Sequence, residues 1–277
     1  MLLRLLHRSV RRQFRSLGFE SKTLSGRVGT IHYLVREHSH PNGTVVLVHG
    51  LGTSSSTWTR TLPHLKESHR IVALDLPGFG FSTANPARGF CTLSEHVEAL
   101  SELIAALPET PIILVGQSFG GWLCCRYAAR SPERVEHLVL VNTAGIYFPG
   151  VENLRDLFTL KSVNDTQRLL NTLWYHYPWY FKPFAGSIFR ELGARRMNEL
   201  VASIESIDFL VEELSCLTMP VSIIWGKQDL AISLKSVDVL KKSIPRSTVH
   251  LIDRCGHVPQ LECPETLAGI LNRVLEV

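Results

Sequence analysis

The sequence predicts an α/β fold: a doubly wound, mostly parallel sheet interrupted by one inserted helical cap. Three observations predict it. Short, almost continuously apolar runs rich in β-branched residues recur at 45–48, 71–74, 112–115, 138–141 and 221–225, the pattern of strands covered on both faces. Helical patterns separate these runs, and strand–helix–strand alternation implies right-handed crossovers. From 145 to 214 the alternation stops, and the chain reads as helices alone over a stretch of about 70 residues, too long for an ordinary connecting loop.

Taken in order, residues 1–19 come first. Leu2, Leu6, Val10, Phe14 and Leu17 recur at helical spacing beside Arg4, Arg8, Arg11, Arg12 and Arg15, which is a short basic amphipathic helix. Such a helix can lie on an anionic membrane surface, serve as a targeting segment or dock on the body. Gly29–Arg36 alternates and fits an antiparallel edge hairpin. Thr92, Leu93, Ser94 and Glu95 form a capping-box pattern opening a helix that Pro108 closes. Another helix starts directly after Ser118 and ends before Ser131–Pro132. Inside the insertion, helices are expected near 151–159, 165–175, 189–200 and 207–214. A last strand covers Thr248–Ile252, and a last helix opens at Pro264. The α/β core is thus 20–144 plus 215–277, and the cap is 145–214.

The chain has 277 residues, 45% hydrophobic and 19% charged, enough for one large core with a smaller appended unit. No apolar run reaches the roughly 20 residues that span a bilayer. The chain holds 29 basic and 25 acidic residues. The excess sits in the five arginines before residue 20, so the body is near neutral and nucleic acid is not an expected partner. The six cysteines (Cys91, Cys124, Cys125, Cys216, Cys255 and Cys263) form no CxxC pair, and no uninterrupted apolar signal precedes the body. Reduced thiols in a cytoplasmic protein are the expectation, with membrane-surface contact through residues 1–19 as one reading of that segment. No dinucleotide fingerprint, phosphate loop or zinc-ligand spacing occurs, so no cofactor and no metal are expected.

The chemistry concentrates at Ser118. Residues 112–121 read as a strand, then G-x-S-x-G, then a helix. A serine hydroxyl is a poor nucleophile unless exposed and paired with a base. A sharp strand-to-helix turn lifts it above the sheet in strained geometry, and a Cβ at 116 or 120 would clash. The developing oxyanion needs two N–H donors: one from Phe119, the other from Leu51 in the loop His49–Gly50–Leu51–Gly52. His49, at the end of its strand, reads as a brace for that loop. The order Ser, Asp, His of this motif class places the base late in the chain. His257 lies in a Gly/Pro-marked loop after the last strand, whereas His250 lies within that strand. Asp229 follows the strand 221–225. Asp238 sits on a helix face, Asp253 shapes a turn, and Asn142, after an earlier strand, is not a carboxylate. Cys255 reads as a buried bystander thiol.

These pieces together are similar to the α/β-hydrolases from about residue 26 onward: HGLG at 49–52, DLPGFG at 75–80, GQSFGG at 116–121, WGKQD at 225–229 and GHVPQLE at 256–262. The resemblance implies Ser118, Asp229 and His257 as a triad, Leu51 and Phe119 as oxyanion donors, and the insertion as a helical cap. Ser118 separates the chain from the branches with an Asp nucleophile. The meta-cleavage C–C hydrolases usually carry a GNSMGG elbow and a Trp after the histidine, where this chain has Gln117, Phe119 and Val258. WGKQD, and HGLG followed by Trp58, look like carboxylesterase and monoacylglycerol-lipase-type members.

Seven of the eleven residues from 174 to 184 are aromatic. Trp174, Tyr177, Trp179 and Phe181 are therefore expected to line an apolar pocket, with a small core of the cap as the competing role. The expected function is hydrolysis of apolar carboxylic esters through an acyl-enzyme. A C–C bond hydrolase and a ligand-binding member of the fold are the alternatives.

Overall fold

The computed structural model describes residues 10 and 12–276 except 85–86, 109–110, 149–150 and 192–193. Eight strands form one sheet in the order β1-β2-β4-β3-β5-β6-β7-β8. The hairpin β1 (Glu20–Gly26) and β2 (Gly29–Arg36) is antiparallel at one edge, with Gly26 opposite Gly29. β2 is antiparallel to β4 (Arg70–Leu74). The remaining pairings among β3 (Thr44–Val48), β4, β5 (Ile112–Gln117), β6 (Val135–Val141), β7 (Val221–Gly226) and β8 (Thr248–Ile252) are parallel. This is the doubly wound α/β architecture that the apolar runs predict.

Successive strand residues point to opposite faces, and both faces are dry. Val46, Val48, Leu114, Leu140 and Ile223 pack on helices α1 (Leu93–Ala105) and α2 (Phe119–Arg130). Val45, Leu47, Val115, Val141 and Ile224 pack on Trp58 and the C-terminal helix. Each such side chain contributes about 1.5–3 kcal/mol by leaving water. The capping box at Thr92 and Glu95 is formed.

In the first segment, Phe14 and Phe19 meet edge-to-face at 5.5 Å and join the second of these layers, with Val10 and Leu17 packed against it. That stretch is docked on the body. Leu2, Leu6, Arg4, Arg8 and Arg11 lie outside the described residues. No helix among the described residues is long and apolar enough to cross a membrane.

The insertion lies between β6 and β7 and carries α3 (Glu152–Phe158), α4 (Val163–Leu173), α5 (Ala185–Glu191), α6 (Ala194–Ser203) and α7 (Glu212–Ser215). α4 starts two residues before the expected Asp165 because Ser162 caps it, accepting the Asp165 N–H at 3.2 Å. The expected helix at 189–200 is two helices, α5 and α6. The expected helix at 207–214 is a single tight turn, Ser206–Asp208, and the short α7. Between them Leu210 donates its N–H to Gly145 O at 2.8 Å, which holds that stretch away from helical pairing. After β7 come α8 (Lys235–Ser243), α9 (Pro259–Glu262) and α10 (Pro264–Val274).

Candidate active site

Ser118 sits between β5 and α2 with φ 53° and ψ −118°, a backbone region that L-residues enter only under constraint. The constraint comes from both sides. Ser118 N–H donates to Val141 O at 2.9 Å, and Ser118 O accepts from Ala144 N–H at 3.0 Å. The flanking glycines make the turn possible. A Cβ on Gly116 would stand 2.6 Å from Gly120 O and from the backbone of Gly121; one on Gly120 would stand 2.4 Å from Val48 O.

The structure brings the three distant polar residues together. His257 Nε2 lies 2.8 Å from Ser118 Oγ, and its Nδ1 lies 2.7 Å from Asp229 Oδ2. All three side chains are buried. Asp229 is acceptor-only when ionised, so Nδ1 carries the hydrogen and Nε2 offers its lone pair to the serine hydroxyl. Asp229 is held in turn: Oδ1 accepts from the N–H groups of Ala231 and Ile232 at 2.8 and 2.9 Å, and Oδ2 from Asn142 Nδ2 at 2.7 Å.

Asn142 is the residue that sequence reasoning passed over. It follows β6 at φ 44°, is fully buried, and its Oδ1 accepts from Gly226 N–H at 3.2 Å. It thereby locks the Asp229 turn to the adjacent strand end. Its non-glycine left-handed position next to two buried strands is visible only once β6 and β7 are known to be neighbours. Gln117 is a second such residue: Nε2 donates to His257 O at 2.9 Å. Asp253 is exposed and paired with Lys227 at 2.8 Å, and Asp238 is exposed on α8.

The loop after β3 passes directly over the serine. A Cβ on Gly50 would meet Gln117 Oε1 at 2.3 Å and Ser118 Cβ at 3.2 Å. His49 braces the loop, donating from Nδ1 to Gly50 O at 2.8 Å and accepting Leu76 N–H on Nε2 at 2.9 Å. Burial lowers the His49 pKa, against the opposing pull of Asp75 and of the Gly50 hydrogen bond, and so keeps this brace neutral. Leu51 and Phe119 flank Ser118 in the wall of the adjoining cavity. Phe119 is the first residue of α2, where a backbone N–H has no acceptor within the helix.

That cavity, of about 400 Å³, runs from Ser118 between the sheet and the insertion, past Trp122, Ile146, Leu154, Phe158 and Phe209. Among the described residues its polar lining comes from Ser118, Tyr147, Arg155, Glu205 and Ser206. Trp174, Tyr177 and Trp179, expected as its roof, do not line it. His257 N–H takes the carbonyl of Leu173, the last residue of α4, at 2.8 Å. The aromatic run therefore starts beside the histidine loop, while the cavity opens on the Phe119–Trp122 side. Trp174 packs edge-on against Tyr177 at 6.2 Å, and Trp179 is 77% exposed. The side chain of Phe181 lies outside the described residues.

Cys255 is buried, and its neighbour Cys263 together with burial pushes the thiol far above its ordinary range, so it is no thiolate. Among the described residues no group of three or more His, Cys, Asp or Glu is placed to hold a metal.

A serine on a strained strand-to-helix turn, above a mostly parallel sheet and hydrogen-bonded to a histidine from the far end of the chain, is the arrangement of the α/β-hydrolases. The sequence agrees: the model of the alpha/beta hydrolase fold family matches residues 43–264, and the chain belongs to that family. The chain is 31% identical to 2-hydroxy-6-oxo-2,4-heptadienoate hydrolase of Pseudomonas putida over 83% of its own length and 88% of that protein. It is 28% identical to Lipase 1 of Psychrobacter immobilis over 81% and 74% of the two chains. The crystal structure of a membrane phospholipase A, described as a bacterial virulence factor, superposes with a TM-score of 0.86 at 28% identity, covering 98% and 91% of the two chains. The relatives thus include both lipases and C–C bond hydrolases.

Proposed function

We propose that this chain is a serine hydrolase of carboxylic esters with apolar acyl groups. The observation that carries the reading is the run of hydrogen bonds from Asp229 through His257 to Ser118 at one end of an almost wholly apolar cavity. His257 Nε2 removes the Oγ proton as Ser118 attacks the ester carbonyl, and Asp229 fixes the tautomer and stabilises the imidazolium. The N–H groups of Leu51 and Phe119 take the developing oxyanion. His257 then protonates the leaving alcohol, and a water activated by the same imidazole hydrolyses the acyl-enzyme. The insertion acts as a cap whose inner face holds the acyl chain, since that face supplies Phe158, Val201 and Phe209 to the cavity.

An alkyl fluorophosphonate is expected to label wild-type protein at Ser118 and to leave Ser118→Ala unlabelled. Folded wild-type protein that resists labelling would overturn the proposal. Likeness to the Pseudomonas putida hydrolase favours a second reading, C–C cleavage of a dienoate with the same three residues. The cavity weighs against it. A dienoate brings a carboxylate, and the one cation in the wall among the described residues, Arg155, is exposed and already donates Nη2 to Ile204 O at 2.6 Å, with Glu205 beside it. Turnover of p-nitrophenyl esters in preference to a ring-cleavage dienoate is the expected outcome, and the reverse preference selects the C–C reaction.

A further inference from the structure

The serine-hydrolase reading uses Ser118, His257 and Asp229 and leaves one carboxylate beside them unexplained. Glu262 ends α9, five residues after the histidine, and is half-buried. Its two oxygens reach two different parts of the chain. Oε1 accepts the Gly256 N–H at 3.0 Å, within the loop that carries His257. Oε2 accepts the Tyr175 N–H at 2.7 Å, within the insertion. Burial raises the pKa of this carboxyl, and the N–H groups of Tyr175, Gly256, Val258 and His176 pull against that rise. A carboxylate taking backbone N–H groups in this way makes charge-assisted bonds, stronger than neutral ones.

The joint is tight. Two residues before Tyr175, the Leu173 carbonyl accepts the His257 N–H. A Cβ on Gly256 would meet Tyr175 N at 2.6 Å, Glu262 Oε1 at 2.8 Å and Leu173 O at 2.9 Å, so a glycine at 256 is what lets the insertion come so near. On the other side Gln117 takes the His257 carbonyl. The backbone of the imidazole-bearing residue is therefore clamped between the elbow strand and the insertion, and Glu262 holds the insertion's half of the clamp.

We infer that Glu262 is a positioning residue: it ties the insertion that walls the cavity to the loop bearing His257, so that the alignment of the imidazole with Ser118 depends on how the insertion is seated. The inference rests on the serine-hydrolase reading for its consequence in rate, but the joint itself is a separate matter of backbone hydrogen bonds.

Two variants cut the same bond from opposite ends. Glu262→Gln puts an amide where one of the two accepting oxygens stands. Tyr175→Pro deletes the N–H on the insertion side, and Trp174, at φ −107° and ψ 141°, already has the extended backbone that a following proline requires. Ester turnover is measured per site titrated with a fluorophosphonate, which removes any loss of folded protein from the comparison. The expected result is a fall in kcat per site of about tenfold or more in each variant, the cost of ångström-scale misplacement of a reacting group, with KM unchanged within about twofold. The double variant is expected to lose no more than the worse single one, because both act through one contact.

Unchanged per-site kcat in folded single variants, or losses that multiply in the double variant, would overturn the inference. Should Glu262→Gln not fold, Tyr175→Pro decides alone. Should wild-type protein fail to react with the fluorophosphonate, the serine-hydrolase reading falls by itself. Amide exchange over residues 173–177 then still tests the joint: faster exchange in Glu262→Gln supports it, and identical exchange refutes it.

Discussion

Asp229 accepts four hydrogen bonds, two on each oxygen, from Ala231, Ile232, Asn142 and His257. A carboxylate so satisfied has one orientation, and through it the imidazole has one tautomer. Asp229→Asn would keep the shape but present an amide to Nδ1, and turnover is expected to fall about 10⁴-fold, measured per titrated serine. Asn142→Ala would orphan the Gly226 N–H and strip one donor from Asp229, lowering the free energy of unfolding in urea by about 1–3 kcal/mol. That Ser118, Asp229 and His257 would meet was legible in the sequence because each sits in its own short motif at a strand end. Asn142 and Gln117 were not, because their partners arrive from strands and loops far along the chain. His96 shows a different single-residue effect. It is buried against Phe79 and Phe119, and burial first, then His49, holds its pKa down at about 3, with Glu95 opposing. The unfolded chain takes up that proton near pH 6.5, the folded chain only near pH 3, so stability falls as the pH drops through this window. Between pH 7 and 5 the His96 contribution to that loss is about 2 kcal/mol, and unfolding curves of His96→Phe at the two pH values should show a loss smaller by that amount.

At the scale of elements, the parallel strands were predictable because burial on both faces writes an unbroken apolar run. The insertion was harder to divide, since its helices are short and their ends are set by caps and by contacts with the body. The aromatic run at 174–184 misled for a physical reason. Composition records that apolar groups are present but not which way they face, and here the seating of Leu173 on the histidine loop decides that. Glycines give the sharpest test of which contacts matter. Gly116→Ala would push a Cβ into backbone atoms that cannot rotate away, and calorimetry or urea titration should show a loss of about 3 kcal/mol or more. Gly269→Ala, within α10 and with open space around it, should gain about 0.4–1 kcal/mol in the same measurement.

Across the whole molecule, sheet and insertion divide the labour. Ser118, His257 and Asp229 stand on loops at strand ends, whereas most of the cavity wall beyond them comes from the insertion and the segment leading into it. Phe209, stacked on Trp122 at 5.5 Å, lines that space. Phe209→Ala should raise kcat/KM for long-chain over short-chain p-nitrophenyl esters by about tenfold, the discrimination that one or two methylenes in an apolar pocket provide.

The insertion leaves the sheet after β6 and returns at β7, and these two strands are direct neighbours in register from Leu138 and Val221 onward. Because the two strands are parallel, the chain departs after Val141, level with Ile224, and re-enters at Val221, three residues or about 10 Å back along the sheet. A foreign segment spliced there would have to meet the histidine loop with a short stretch of main chain, offer an acceptor to Trp122 and Arg126 where Asp208 O stands, and replace Leu200, Leu210 and Leu214 in the core of the sheet. Natural diversification of such a molecule can proceed by trading that segment wholesale while the chemistry stays where it is.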